Sequence, residues 1–280
     1  MGFNHPFFRG EIFLEIRFSE EKDISELKNI WKICFGDEDA YIDLFLTKLY
    51  KPLNTIVAIE DGKVVGSLYM LPAKLLDKPF MYGYAIGVLP EYRGRSICEK
   101  MLNFVEKLSK ENDFLFGLHP ANEKLFEFYK RIGLNDMYSL KIVDGNEFDR
   151  HEECEIEDIT PKEYFSLREK HFGNFVSWSQ NLIEYMFLES KLSGRFFKKV
   201  ILHGKEKIIS GRLYDKTVII SETTMSDEEI KDASSSLKDF FKGDKIIFHL
   251  PCESKLDGET KTEILGFGEK NTTYMSLFLD

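Results

Sequence analysis

The stretch AIGVLPEYRGRSICEKM, residues 85–101, runs from apolar, strand-like residues through a proline and a pair of arginines into a helical pattern. A helix start carries unpaired backbone N–H groups and the positive end of the helix dipole, so a turn with little side-chain bulk in front of it admits an anion. Tyr92-Arg93-Gly94-Arg95 is such a turn. The letters that follow support a second reading. Ser96-Ile97-Cys98-Glu99 matches a capping box, in which Ser96 and Glu99 satisfy the same donors internally and the Glu99 carboxylate repels an anion. Spacing alone leaves both readings open.

Upstream, Ile24, Leu27, Ile30, Trp31 and Phe35 recur at three- and four-residue steps and predict an amphipathic helix over 23–35, with a second helix over 38–50. TIVAIEDGKVVGSLYML, residues 55–71, is two β-rich runs joined by Asp61-Gly62, a strong two-residue hairpin signal. MYGYAIGV, residues 81–88, reads as a third strand in which Gly87 marks a bulge or a close backbone approach. Downstream, a helix over 96–110 and the short apolar run FLFGL (114–118) complete a strand–helix–strand crossover. Asn122 then supplies an N-cap for a helix that ends at Gly133, with Lys130 and Arg131 in its last turn, and a strand covers 137–143.

The polar, non-periodic DGNEFDRHEE (144–153) sets an expected boundary between domains 1–147 and 148–280. The second part repeats the element order: helices in 160–172 and 177–190, strands near 196–202, 208–213 and 218–221, a helix over 227–241 and the strand KIIFHL. Its last helix opens on Ser226-Asp227-Glu228-Glu229, whose three carboxylates oppose an anion. The expected class is therefore α+β, with two tandem domains, each a mixed β-sheet flanked by helices.

Composition narrows the function. A chain of 280 residues with 43% hydrophobic and 31% charged residues is that of a folded globular protein. Net charge is −10 with the signs interspersed, which leaves no positive stripe for a nucleic-acid backbone and slightly favours a cationic substrate. Cys34, Cys98, Cys154 and Cys252 stand far apart, without C-x-x-C or metal-ligand spacing, so neither a disulfide framework nor a metal is expected. The start lacks the pattern of a secretory leader and no apolar run approaches ~18 residues, so no membrane association is expected and a cytoplasmic location is.

VLPEYRGRSICEKML (88–102) resembles the coenzyme A signature of the GNAT superfamily of N-acetyltransferases, and NEKLFEFYKRIGL (122–134) is similar to the helix and Gly-hydrophobic pair that follow the next strand in that family. The resemblance covers roughly residues 23–143 in element order. It implies acetyl-CoA as acyl donor, with the backbone of Arg93, Gly94, Arg95, Ser96, Ile97 and Cys98 holding the pyrophosphate. It further implies that the pantetheine arm runs between diverging strands around Tyr84–Val88 and Phe114–Leu118, with Ile86, Gly87, Val88 and Asn122 in the cofactor site. The family's arginine-x-x-glycine-x-glycine pattern appears as Arg93, Ser96 and Cys98, so both later glycines carry side chains here. Tyr129 aligns with the tyrosine that protonates the departing thiolate in this family. From its own surroundings it fits equally an apolar stripe with Leu125, Phe126 and Ile132.

Acyl transfer also needs a base and a donor to the developing oxyanion. His119 has the side chain to serve as base, although beside Pro120 it fits a loop residue equally; Glu60 and the terminal carboxylate of Asp280 are weaker candidates. A backbone N–H near Val88, freed by a bulge, suits the oxyanion. The expected acceptor is a primary amine of a small molecule or peptide. Two other functions fit parts of the pattern: a non-catalytic acyl-CoA sensor, and a tandem-domain transferase using aminoacyl-tRNA, which the net charge of −10 opposes. Trp31, Trp178 and Tyr185 read as core or interface residues.

Overall fold

The computed structural model describes residues 13–75, 78–148, 150–171, 175–267 and 275–276. The first half opens with β1 (Leu14–Phe18), α1 (Ile24–Phe35) and α2 (Asp39–Lys48). β2 (Thr55–Glu60) and β3 (Lys63–Leu75) form the expected hairpin. Asp61 and Gly62 at its tip have φ of 52° and 80°, the paired positive φ of a type I′ turn. β4 (Lys78–Val88) returns antiparallel to β3, and α3 (Ile97–Asn112) crosses over to β5 (Leu115–Leu118), which lies parallel to β4. α4 (Glu123–Arg131) and β6 (Asn135–Asp144) follow.

The second half contains β7 (Glu155–Asp158), α5 (Pro161–His171), β8 (Val176–Trp178), α6 (Gln180–Ser193), β9 (Arg195–Leu202), β10 (Lys205–Tyr214), β11 (Thr217–Thr223), α7 (Asp227–Phe240), β12 (Lys245–Leu250) and β13 (Glu259–Phe267). The repeat of element order is visible in the pairing. β9, β10 and β11 form an antiparallel meander like β2, β3 and β4, and β11 lies parallel to β12 across α7 as β4 does to β5 across α3.

The described strands form one mixed sheet in the order β1-β2-β3-β4-β5-β13-β6-β12-β11-β10-β9-β7, with β8 beside the end of β3. At its centre the halves exchange strands. β13 pairs with β5, β6 pairs with β12, and β13 and β6 pair with each other, all antiparallel. The last strand of each half thus lies against the preceding strand of the other. Such non-local pairing leaves no local signature in a sequence, because both strands carry ordinary alternation.

Burial follows the apolar periodicity. On α1, Leu27, Ile30 and Trp31 face the sheet and pack with Phe45 of α2 and Tyr69 of β3. α1 comes close to β4 because Gly87 has no side chain: a Cβ there would stand 3.2 Å from Cys34 Sγ and 3.3 Å from Ile30 Cγ2. The bulge expected at Gly87 lies just before it. Tyr84 pairs with Tyr69 and Gly87 with Ser67, so Ala85 and Ile86 together oppose Leu68, with Ala85 at φ 46°.

A buried ion pair lies inside the second half, next to the strand that meets the first. Arg168 of α5 and Glu222 of β11 are both fully buried, with Arg168 Nε 3.1 Å from each carboxylate oxygen. Tyr164 Oη donates to Glu222 at 2.8 Å, the Ser276 hydroxyl donates to the same carboxylate, and Arg168 Nη2 donates to the Val176 carbonyl at 3.0 Å. Trp178 Nε1 donates to the Ser276 carbonyl at 2.9 Å. Because β8 carries Val176 and Trp178 against β3, this network fastens the second half to the sheet of the first. Trp178 and Tyr185 are core residues, at 2% and 1% exposure; Trp31 is equally buried.

Candidate active site

β4 and β5 pair only from Phe80↔Leu115 to Gly83↔Leu118. Beyond Gly83 and Leu118 they part, so the opening is bordered by Tyr84–Val88 on one side and by the residues from Leu118 onward on the other, with most of 114–118 still inside the ladder. The bulge at Ala85–Ile86 sits on this free edge. Leu89 N donates to Val65 O at 2.9 Å, which makes the neighbouring pair Gly66↔Val88 a non-hydrogen-bonded one and turns the Val88 N–H away from β3 toward the opening.

At the start of α3 the structure decides between the two readings of residues 96–99. A cap side chain reaches the N3 amide from extended backbone. Ser96 instead has φ 55° and ψ 24°, and no side chain caps the helix among the described residues. The first intrahelical bond runs from Lys100 N to Ser96 O at 3.0 Å, so the amides of Ile97, Cys98 and Glu99 lie ahead of the ladder. Gly94 has φ 77° with open space where a Cβ would stand. Gly94 and Ser96 both have positive φ, the kind of backbone from which anion-binding nests of N–H groups are built. The contrast with α7 is instructive: Ser226 has φ −72° and ψ 167°, and its box with Glu229 is closed by bonds of 2.8 and 3.4 Å.

The arginines brace this turn. Arg93 Nε donates to Val88 O at 3.0 Å, tying the turn to the end of β4. Arg95 Nη1 lies 2.5 Å from Glu60 Oε1 and its guanidinium stands over the Tyr92 ring at 5.1 Å. Glu60 is thereby committed to Arg95 and lies outside the cavity described next, which removes it as a base. Ser96 occupies a left-handed position that costs a residue with a Cβ on the order of 1 kcal/mol relative to glycine. Cys98 packs among the apolar residues under α3, and burial, with the Glu99 charge, pushes its thiol up to about 12.

A cavity of about 730 Å³ opens beside the bulge. Its walls include Tyr82–Ile86 of β4, Leu118 at the end of β5, His119 after it, Tyr129 of α4, Trp31 and Tyr41. Tyr129 and His119, read separately in the sequence, therefore meet in one space. Tyr129 is 6% exposed; burial, with the nearby Cys98, holds its phenol far above the ordinary tyrosine range, so it is a proton carrier at neutral pH. Gly87 and Val88 lie just past the cavity wall.

Asn122 caps α4, its Oδ1 accepting from Leu125 N at 3.1 Å, and borders a second cavity of about 520 Å³ on the other side of His119. Glu263, which sequence reasoning missed, lines that second cavity and places Oε2 2.8 Å from His119 Nε2. Nothing in the local pattern of β13 marks it, since the contact spans 144 positions. Asp280, the other carboxylate considered, lies outside the described residues. Among the described residues no group of His, Cys, Asp and Glu could hold a metal ion, and no helix is long and apolar enough to cross a membrane.

Residues 15–135 match the family model described as the acetyltransferase (GNAT) domain, fewer than half of the 280 residues. This part of the chain is a GNAT acetyltransferase domain. Solved structures resemble the chain over nearly its whole length. A GCN5-related N-acetyltransferase from Anabaena variabilis superposes with a TM-score of 0.68 at 16% identity, covering 90% of this chain and 72% of that one. Eis1 from Mycobacterium abscessus gives 0.66 at 14% identity over 89% and 72%. A conserved protein of unknown function from Enterococcus faecalis, described as a probable N-acyltransferase, gives 0.68 at 13% identity over 91% and 72%. At these identities the likeness is one of fold, and it extends through both halves.

Proposed function

We propose that the chain is an N-acetyltransferase that moves an acetyl group from acetyl-CoA to a primary amine by direct attack, without a covalent enzyme intermediate or a metal. The observation that carries this reading is the uncapped amide end of α3: its sequence allows a closed box, yet the backbone of Gly94–Ser96 is shaped to leave the donors open. The residues fit the donor molecule. The amides of residues 94–98 would hold its pyrophosphate, and the free edge of β4 past Gly83 would take its arm. When bound, the thioester supplies an acyl carbon activated toward amines.

The chain's own groups divide the rest of the work. His119 takes the proton that the acceptor nitrogen loses as the nitrogen–carbon bond forms, and the Val88 N–H donates to the oxyanion. Tyr129 gives its phenolic proton to the departing sulfur and is reprotonated from solvent, while His119 returns its proton there, which balances the cycle. The second half, here regarded as a GNAT-like domain without a donor site beginning near residue 148, completes the fold and walls the cleft. Its helix start at Ser226 is closed by its own box and bears Asp227, Glu228 and Glu229. No disulfide links the four cysteines, which supports a reducing, cytoplasmic setting. The test is a thiol-release assay with acetyl-CoA over a panel of polyamines, amino sugars, amino acids and peptides. Acetyl-CoA-dependent release with at least one amine is expected; binding without release for every amine would leave a sensor, and neither would end the reading.

A further inference from the structure

We propose that Glu263, delivered from the second half on β13, is a positioning residue that fixes His119 in the orientation and tautomer in which it accepts the amine proton. This deepens the function proposed above and rests on it.

Three observations converge. The first is topological: β13 pairs with β5 through Leu265↔Leu118, which sets a strand of the second half directly beside the residue that precedes His119. The second is a bulge. Along β13, Thr262 pairs with Ser139 and Ile264 with Tyr138, consecutive residues of β6, so Glu263 is the extra residue between them. A bulge lifts a side chain out of strict alternation and re-aims it, and bulges concentrate beside active sites for this reason. Here the re-aimed side chain ends 2.8 Å from His119 Nε2.

The third observation is how the carboxylate itself is held. Lys261 Nζ lies 3.2 Å from Glu263 Oε1, so each oxygen has its own partner and the side chain is locked at both. Glu263 and His119 side chains are 11% and 19% exposed, where a charge-assisted bond is little screened. Burial pushes the Glu263 carboxyl up, but the bond and charge of His119, with Lys261, outweigh it and hold the group below the usual carboxylate range. An ionised carboxylate only accepts hydrogen bonds, so Nε2 keeps its hydrogen in either protonation state of the ring, and in the neutral form the basic lone pair is on Nδ1. Glu263 touches no reacting atom; it decides which nitrogen does.

Two measurements test this. The ring nitrogens of His119, followed by ¹⁵N NMR through a pH titration of the unaltered protein, should show a single Nε2–H tautomer in the neutral form. In Glu263→Gln, whose amide can donate as well as accept, the tautomers should mix. An Nδ1–H ring in the unaltered protein, or spectra indifferent to the substitution, overturns the assignment without any need for activity. The second is a double-mutant cycle on thiol release. A general base contributes on the order of 10²–10⁴, so Glu263→Gln should lower kcat roughly tenfold to a hundredfold with the KM for acetyl-CoA unchanged. In a His119→Ala background it should cost nothing further. Equal loss in both backgrounds would make Glu263 structural and overturn the proposal. Expected ring spectra from a protein that acetylates no amine would sink the transferase reading and leave the Glu263–His119 geometry standing.

Discussion

Tyr129→Phe lowers kcat for acetyl transfer by about a hundredfold, within the range of a positioned general acid, and leaves the KM for acetyl-CoA within about twofold. The expectation follows from where the hydroxyl stands. The ring of Tyr129 belongs to the core beneath α3 and α4 and packs edge-on against Phe128 at 5.3 Å, so the phenylalanine ring keeps these contacts and the fold survives. Only the Oη and its proton are lost, from a residue that also walls the cavity beside the bulge. Because burial holds the phenol protonated, the hydroxyl carries its hydrogen throughout the neutral and mildly alkaline range. Steady-state kinetics with the best amine from the thiol-release screen provide the check. Unchanged kcat in the variant would return Tyr129 to a purely packing role.

Glu222→Ala should reduce the unfolding free energy by about 3–5 kcal/mol, the cost of leaving a buried guanidinium without its counter-charge. Arg168 and Glu222 have no exposure, and truncation also removes the acceptor for Tyr164 and Ser276. The loss should fall at the junction of the halves, where β8 meets β3. Replacing both members, Arg168→Met with Glu222→Leu, should recover most of the stability, since no uncompensated charge remains. Chemical denaturation of the three variants separates these effects. A loss under about 1 kcal/mol for Glu222→Ala would show that the guanidinium finds another partner or water, and that the network does not hold the halves together.

Features encoded within a few residues were legible in the sequence. Asp61-Gly62 became the left-handed pair of a hairpin, and the crossover through α3 and the cap at Asn122 formed where turn chemistry and periodicity put them. The two S-x-x-E segments show where that legibility ends. Residues 226–229 close a capping box and residues 96–99 do not, because the bond depends on the backbone angles of the serine and not on the letters. Ser96 is drawn into the left-handed region by a turn that Arg93 and Arg95 brace against Val88 and Glu60, contacts made at five and thirty-five positions' distance. The bulge was legible only to within two residues, since Gly87 serves the approach of α1 and the extra residue lies at Ala85–Ile86. β1, β7, β8 and β13 are short or ordinary in pattern and were not anticipated. With β13 went the strand exchange and Glu263, for pairing over more than a hundred positions is decided by the whole fold.

The amides at the mouth of α3 carry the functional claim, and they can be watched directly. In a ¹H–¹⁵N titration of the labelled protein with coenzyme A, an open nest at this helix start predicts saturable shifts largest at the N–H groups of Gly94–Glu99. The corresponding amides at Ser226–Glu229, closed by their own side chains, should stay still. Resonances of residues 94–99 that do not move at millimolar coenzyme A would contradict it.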